Sequence, residues 1–393
     1  MKKKVLMFFP SWGLGGSTIY LGQYVKSLVE SGYKVDCVFR KKDKGSEFLH
    51  KLGGNLLFSK YPLSLSLTSA KDHNIVSLIY ILKNFFKIIY GIIFSSYIIL
   101  KRKPDIVFFG EYTMLQCFLP AWITIKKSIF FMQFDSSKNY YKRKIVEFIL
   151  NKSNHVIAIT KLHLEPIRFK KTSYQVIHNI VYEKGIIETA HLIRNLKIRN
   201  NEKIITFVGG FNPHKGTHLF IEIANKLCQL REDVIFLLIG PNNNISLESS
   251  HKSRSNISHY AKKVYNNIEK YNLVDRIRII GETNSVISYL SESHLLVSCN
   301  TVAHFMRPVI EAWTQKIPVI VSDDIYGHYL VEHKINGCIA DPTVESWVEN
   351  INWILDDEER RQNLGYAGFK KYKAQFSEDN FNLDFAKLVE IIK

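Results

Sequence analysis

Short apolar runs bounded by turn residues alternate along this chain with longer stretches in which apolar positions recur every three or four residues. Continuous apolar runs are the pattern of parallel strands buried on both faces, and the longer periodic stretches are helices that cover them. In the first half the pattern predicts strands at Lys4–Phe9, Lys34–Phe39, Ile106–Phe109, Ser128–Gln133 and Val156–Ile159, with a short one near Tyr174–His178. It restarts at Ile204–Val208 and continues at Val234–Ile239, Ile277–Ile280, Leu295–Ser298 and Pro318–Val321. Between the two sets, Ile180–Asn201 carries charge and no strand pattern and reads as a connector. The alternation predicts two doubly wound α/β domains. Ligands of such sheets bind beyond the carboxyl ends of the strands, so a cleft between two facing domains is the expected site.

The most apolar helix is Ile75–Leu100, closed by Lys101-Arg102-Lys103-Pro104. Lys83, Asn84 and Lys87 interrupt it, and the remaining stretch Ile88–Leu100 falls short of the roughly 20 residues that span a bilayer. Two readings stay open. The helix packs on a parallel sheet, or it lies at a membrane interface with its lysines on anionic head groups and Phe, Ile and Tyr in the acyl boundary. The opening Met1-Lys2-Lys3-Lys4 and its brief apolar run, cut short by Pro10, read as a buried first strand rather than a leader peptide.

Composition changes the picture through charge. The 393 residues suit two domains, and 13% aromatic with 23% charged residues excludes a disordered chain. Five cysteines stand singly, with no C-x-x-C pair, which argues against a disulfide framework or a cysteine-rich zinc site and makes a reducing compartment the default. The net charge of +17 is uneven: residues 1–200 hold 32 Lys+Arg against 12 Asp+Glu, and residues 201–393 hold 21 against 24. The first half therefore faces something anionic, nucleic acid or a membrane surface. It carries no recognition helix or stacking-aromatic motif, which favours the membrane.

Three loops carry candidate chemistry. The first strand runs into Pro10-Ser11-Trp12-Gly13-Leu14-Gly15-Gly16-Ser17 and a helix from Ile19 to Ser31; its glycines let backbone N–H groups approach a phosphate or a sugar, and they equally permit tight strand-helix packing. The second half opens with Val208-Gly209-Gly210-Phe211-Asn212-Pro213-His214-Lys215-Gly216 before a helix over Thr217–Leu230. From that loop Lys215 could offer its ammonium to a diphosphate, or simply be solvated. The third is Ala303-His304-Phe305-Met306-Arg307-Pro308-Val309-Ile310-Glu311-Ala312-Trp313, ahead of the strand at Pro318. A carboxylate such as Glu311, placed in an apolar stretch, can hold two vicinal hydroxyls in a bidentate pair.

In order and spacing, the glycine turn, G-x-x-x-P-x-K-G, F-x-R-P-V-I-E-A-W, K-I-P-V-I-V-S-D and N-G-C-I-A-D-P resemble the GT-B glycosyltransferases, specifically retaining family four (glycosyl transferases group 1). Ile177-His178-Asn179-Ile180-Val181 resembles the family's segment ahead of the interdomain linker, and the stretch from Phe376 to Lys393 resembles the last helix, which crosses back to the first domain. The resemblance implies an acceptor-binding Rossmann-like domain over 1–182 with a returning helix at 377–393, a linker at 183–201, and a nucleotide-sugar domain over 202–376. It implies transfer of a sugar from a nucleotide donor with retention, and no metal or cofactor. Lys215 would meet the donor diphosphate, Glu311 the ribose, and Gly281 with Glu282 the base pocket; Gly15 and Gly16 would approach the phosphates and the reacting sugar. Gly209, Gly210, Phe305, Met306 and Pro308 would complete the donor site, with Gln133 and Asp135 on the acceptor side.

This chain departs from the family at several positions. Gly210 stands where an arginine usually accompanies the loop lysine, Ala303 where the first of two glutamates stands, Met306 where a glycine stands, and Gln133 where a histidine is common. Without a carboxylate at 303 an enzymic nucleophile there is impossible, which leaves a front-face route in which the leaving diphosphate takes the acceptor proton. Arg307, in the same loop as Glu311, is the candidate to replace the missing cation. The reading is a hexosyl-type transferase with a lipid-linked or oligosaccharide acceptor, in capsule, lipopolysaccharide or glycolipid synthesis, cytoplasmic and peripheral to the inner face of the membrane. The alternative is a catalytically silent GT-B protein that binds a sugar nucleotide or a partner enzyme. If the basic half faces a membrane, the protein floats with anionic liposomes and not with neutral ones, and added salt releases it. Flotation that ignores lipid charge would remove the electrostatic reading.

Overall fold

The computed structural model describes residues 3–9, 13, 15–60, 76–111, 114–133, 140–181, 196, 198–240, 259–283 and 285–393. Contacts divide the chain into one unit of Met1–Asn179 with Phe381–Lys393 and a second of Ile180–Asn380.

The first unit is built on a parallel sheet of seven strands in the order β3-β2-β1-β4-β5-β6-β7. These are β1 (Lys4–Phe8), β2 (Lys34–Phe39), β3 (Asn55–Phe58), β4 (Ile106–Phe109), β5 (Lys127–Met132), β6 (His155–Ala158) and β7 (Ser173–Val176). The predicted strands appear within a residue or two of their predicted ends. β3 went unpredicted because it is a short edge strand whose Asn-Leu-Leu-Phe is half-exposed, so its pattern is not that of a strand buried on both faces. Helices α1 (Gly16–Glu30), α2 (Lys44–Lys51), α3 (Val76–Arg102), α4 (Leu115–Ile123), α5 (Tyr140–Leu150) and α6 (Lys161–Leu164) make the crossovers.

Helix α3, the apolar stretch of the sequence, has two different faces. Gly91, Ser95, Ile98 and Ile99 are buried. At Gly91 an added Cβ would lie 2.3 Å from Gln116 of α4, and Ser95 Oγ donates to Gln116 O at 3.2 Å, so small residues bring the two helices together. About half a turn away, Phe86, Ile89, Ile93, Tyr97 and Leu100 follow one another at spacings of three and four and are all exposed. Because α3, α4 and α5 each precede a parallel strand, their C-terminal ends share one edge of the sheet. There Trp122, Ile123, Ile125 and Phe148 are also exposed, and Lys152 Nζ lies 5.7 Å from the rings of both Trp122 and Phe148. Ile125 is β-branched, has φ +54° and is 92% exposed. Among the described residues no helix is long and apolar enough to cross a membrane.

The second unit has six parallel strands in the order β10-β9-β8-β11-β12-β13. They are β8 (Lys203–Val208), β9 (Val234–Ile239), β10 (Ile277–Gly281), β11 (Leu295–Ser298), β12 (Val319–Ser322) and β13 (Cys338–Ala340), the last too short to show a pattern in sequence. Its helices are α7 (Thr217–Cys228), α8 (His259–Lys270), α9 (Val286–Ser291), α10 (Arg307–Thr314), α11 (Ile325–Leu330), α12 (Val344–Leu355) and α13 (Glu358–Gln375). Phe207, Phe220, Phe236, Val297 and Trp347 lie in its main core. The last helix, α14 (Glu378–Ile392), runs into the first unit, where Phe381 and Phe385 pack edge-on against Tyr24 at 5.3 and 6.3 Å and Gln175 Nε2 donates to Asp384 O at 2.9 Å.

Helix α13 is held by two glycines. A Cβ at Gly365 would lie 1.8 Å from the Lys316 carbonyl oxygen, and one at Gly368 would lie 2.2 Å from the buried Trp313 ring. Alanine in a helix interior normally stabilises by about 1 kcal/mol relative to glycine. At Gly365 the sign reverses, because the obstacle is backbone. We expect Gly365→Ala to lower stability by about 3 kcal/mol, read as a fall of roughly 6 °C or more in thermal midpoint. An unchanged or raised midpoint would refute the packing argument.

Candidate functional site

The β8–α7 loop is shaped by backbone contacts. Gly209 and Gly210 both donate their N–H groups to Ile239 O at 2.9 Å, and Gly210 has φ +59°, where a side chain would be strained. A Cβ at Gly240 would lie 2.4 Å from Gly210 N, so the ends of β8 and β9 touch through glycine. Asn212 caps the single 3₁₀ turn Pro213–Lys215 by accepting from His214 N at 2.9 Å. Gly216, at φ +80°, then turns the chain into α7.

This loop is fastened to the one that follows β11. A Cβ at Gly216 would stand 1.8 Å from the Cys299 carbonyl oxygen, while Cys299 Sγ contacts Gly216 O at 3.3 Å. Thr301 N donates to His214 O at 3.1 Å and Thr301 Oγ1 to Pro213 O at 2.7 Å. The lock sets Lys215 Nζ against His304 Nε2. His304 Nδ1 lies 2.7 Å from Val302 O. A carbonyl only accepts, so Nδ1 carries the hydrogen and the Nε2 lone pair accepts from the ammonium. Burial pushes Lys215 down to about 8, opposed by the negative charge of Glu311. Burial first, and then the neighbouring Lys215 charge, push His304 down to about 4.

On α10, Arg307 Nε donates to Glu311 Oε1 at 2.8 Å, an i,i+4 pair in which both side chains are mostly covered. Arg307 Nη1 also donates to Ile180 O at 3.3 Å. Lys215, Glu311 and Arg307 are thus brought together, with Arg307 engaged by its own helix. Phe305 is half-buried, its ring centroid 6.3 Å from that of Phe376; Met306 is fully buried at the N-cap of α10, with Pro308 in the first turn. Gly281 closes β10 at φ +77°, its carbonyl accepting from Gly240 N at 2.9 Å, and Glu282 beside it is exposed.

In the first unit, Gly15 is the N-cap of α1 and Gly16 its first residue. Gln133 Nε2 donates to Gly110 O at 3.1 Å at the end of β5. Asp135 lies outside the described residues. His304, Asn212, Thr301 and Gly240 were not singled out from sequence: a lone histidine beside Ala303 carries no motif, and its partner lies 89 residues away. At the same edge of the second sheet a cavity of about 400 Å³ is lined by Ala303 with His218, Glu222, Asn300, Asp323 and Trp347. Among the described residues no group of three or more His, Cys, Asp or Glu could hold a metal ion.

Residues 188–371 match the sequence model of the family described as Glycosyl transferases group 1. The second half of the chain carries a glycosyl transferases group 1 domain. Solved structures extend the likeness in fold to the whole chain. Anabaena HepE in complex with UDP and glucose shares 15% identity, covers 99% of both chains and superposes with a TM-score of 0.77. A glycosyltransferase from Rickettsia africae shares 18%, covering 100% of this chain and 98% of its own, at 0.78. Sucrose-phosphate synthase from Thermosynechococcus elongatus shares 18%, covering 99% and 98%, at 0.75. The fold is GT-B, with a glycosyl transferases group 1 domain in its second half. No curated protein matches the chain in sequence.

Proposed function

We propose that the protein transfers a sugar from a nucleotide-sugar donor to a lipid-linked or oligosaccharide acceptor with retention, in the synthesis of a surface polysaccharide or glycolipid. The observation that carries this is the Lys215 ammonium, set by backbone locks at the carboxyl edge of the sheet of a glycosyl transferases group 1 domain, with Glu311 within electrostatic reach. Lys215 meets the donor diphosphate, Glu311 the ribose hydroxyls, and Gly281 with Glu282 the base. Because HepE is complexed with UDP and glucose, uridine donors are tested first. With alanine at 303, the acceptor hydroxyl attacks from the face the diphosphate leaves. The departing phosphate oxygen takes the hydroxyl proton, and Lys215 and nearby backbone N–H groups offset the charge that develops. Leaving-group charge met this way needs no metal ion.

The acceptor reading draws on the first unit. The apolar row of α3 and the exposed Ile123, Ile125 and Phe148 would enter the acyl boundary at the inner face of the membrane. No carboxylate lies between Asp72 and Asp105, while Lys101 and Lys103 sit beside the row, and Lys101 Nζ donates to Tyr97 OH at 2.7 Å. Such charge suits anionic head groups and repels a second copy of the same face. The alternative, a silent GT-B protein, draws on the absent side chains at Gly210 and Ala303.

Incubation with a panel of nucleotide sugars and membrane extract separates the two: acceptor-dependent release of nucleoside diphosphate supports the transferase, and binding without turnover supports the silent protein. Lys215, lowered by burial against the opposing pull of Glu311, is charged below about 8 in the free protein and loses its charge above. For the donor, kcat/KM should therefore fall as pH rises through that value. Lys215→Met should lower kcat/KM about 10- to 100-fold at neutral pH and abolish that limb; an unchanged limb would exclude Lys215. Ile93→Glu combined with Phe86→Glu should abolish flotation with anionic liposomes while leaving donor binding intact, and continued flotation would exclude this face.

A further inference from the structure

Gly210 stands where the resemblance would put an arginine, so on the donor reading the diphosphate meets one cation fewer, and Arg307 is already engaged. Its guanidinium is engaged by the Glu311 carboxylate at 2.8 Å and by the Ile180 carbonyl at 3.3 Å. The nitrogen that faces Lys215 is instead His304 Nε2, from a loop tied to the Lys215 loop at Gly216, Cys299 and Thr301.

We infer that His304 is the second donor-binding cation: as the diphosphate arrives, Lys215 turns its ammonium to one phosphate, and the imidazole takes a proton from solvent at Nε2 and donates it in a hydrogen bond to the other. The inference rests on the donor reading above. It follows from satisfying both ring nitrogens. Nδ1–H is already committed to Val302 O at 2.7 Å, so Nε2 is the atom left to act, its lone pair facing Lys215. Before the donor binds, burial first and then the facing Lys215 ammonium keep the ring neutral. The bound diphosphate brings two negative charges, of which Lys215 offsets one. Among the described residues, the titratable and charged groups near the pair are His214 on the β8–α7 loop and, beyond Lys215, Glu311 with its partner Arg307 on α10. A neighbouring negative charge raises an imidazole pKa by about 1–3. From about 4 in the free protein this carries His304 into the range where it is partly or wholly charged near pH 6.

The sign of the pH dependence follows. Since the complex holds more protons than the free protein, donor affinity rises as pH falls from 7 towards 5. The diphosphate of a nucleotide sugar does not itself titrate in that window. The test is calorimetry of the full chain with UDP-, GDP-, ADP- and CDP-glucose, using whichever binds best, at pH 6 in buffers of different ionisation enthalpy. Wild type should take up a fraction of a proton on binding. His304→Gln keeps an acceptor for Lys215 but cannot carry the charge, so it should lose that uptake and flatten the pH profile. His304→Ala should bind about 10- to 100-fold more weakly at pH 6. Equal proton uptake in wild type and His304→Gln, with unchanged affinity, would overturn the inference and leave the donor reading standing. Failure of wild type to bind any of the four would overturn the donor reading itself and this inference with it.

Discussion

Everything distinctive in the second unit depends on one place where two backbones come too close for a side chain. Gly216 lies in the left-handed region with its Cα directed at the Cys299 carbonyl, where a methyl group would stand 1.8 Å from the oxygen. Two loops that leave different strands are held there by steric fit, and Thr301 adds two hydrogen bonds to the same partner loop. Side-chain hydrogen bonds alone would let each loop adjust separately. A backbone contact leaves them no such freedom, so the position of Lys215 and that of His304 become a single variable. The same device recurs at Gly240 against Gly210 and at Gly365 against Lys316, where glycine again permits backbone to meet backbone.

Such packing explains why the site can be built from few charges. Lys215 and His304 are partly buried and next to each other, and in water-poor surroundings two cations would repel strongly. The arrangement holds because one of the two is neutral, with a defined hydrogen on Nδ1 and a lone pair on Nε2. Glu311 acts in the opposite direction, favouring the ammonium, and is itself balanced by Arg307 one helical turn away. Positive and negative groups are thus interleaved, so that the free protein carries little unpaired charge around Lys215.

Much of this fold was legible in the order of residues because buried parallel strands are apolar throughout: Val-Ile-Phe-Leu-Leu-Ile of β9 and Ile-Val-Phe-Phe of β4 announce themselves. β3 and β13 did not, since an exposed edge and a three-residue strand have no such run. Lys215 and Glu311 could be singled out by their loops, but the roles given to them came from the family resemblance and not from spacing. The pairing of Lys215 with His304 was not, because it joins positions 89 residues apart through loops whose geometry is set by steric fit at Gly216. Arg307 was read as lying in the same loop as Glu311; the structure puts both on α10, where i,i+4 spacing pairs them on one helical face.

The two readings of the apolar helix α3 were alternatives only while its faces could not be told apart. A helix of 27 residues is about 40 Å long, far longer than the strands it serves, which rise roughly 3.3 Å for each of their few residues. Packing on the sheet therefore needs only one side of it. Gly91 and Ser95 let that side approach α4 closely, so the core is completed without Phe86, Ile89, Ile93, Tyr97 or Leu100. If the sole demand on α3 were to cover the sheet, those outward positions would be free to be polar. A contiguous apolar row on a face that meets only water is unfavourable. Contact with an anionic lipid surface, as proposed above, would shelter that row and suit a stretch without carboxylates from Asp72 to Asp105.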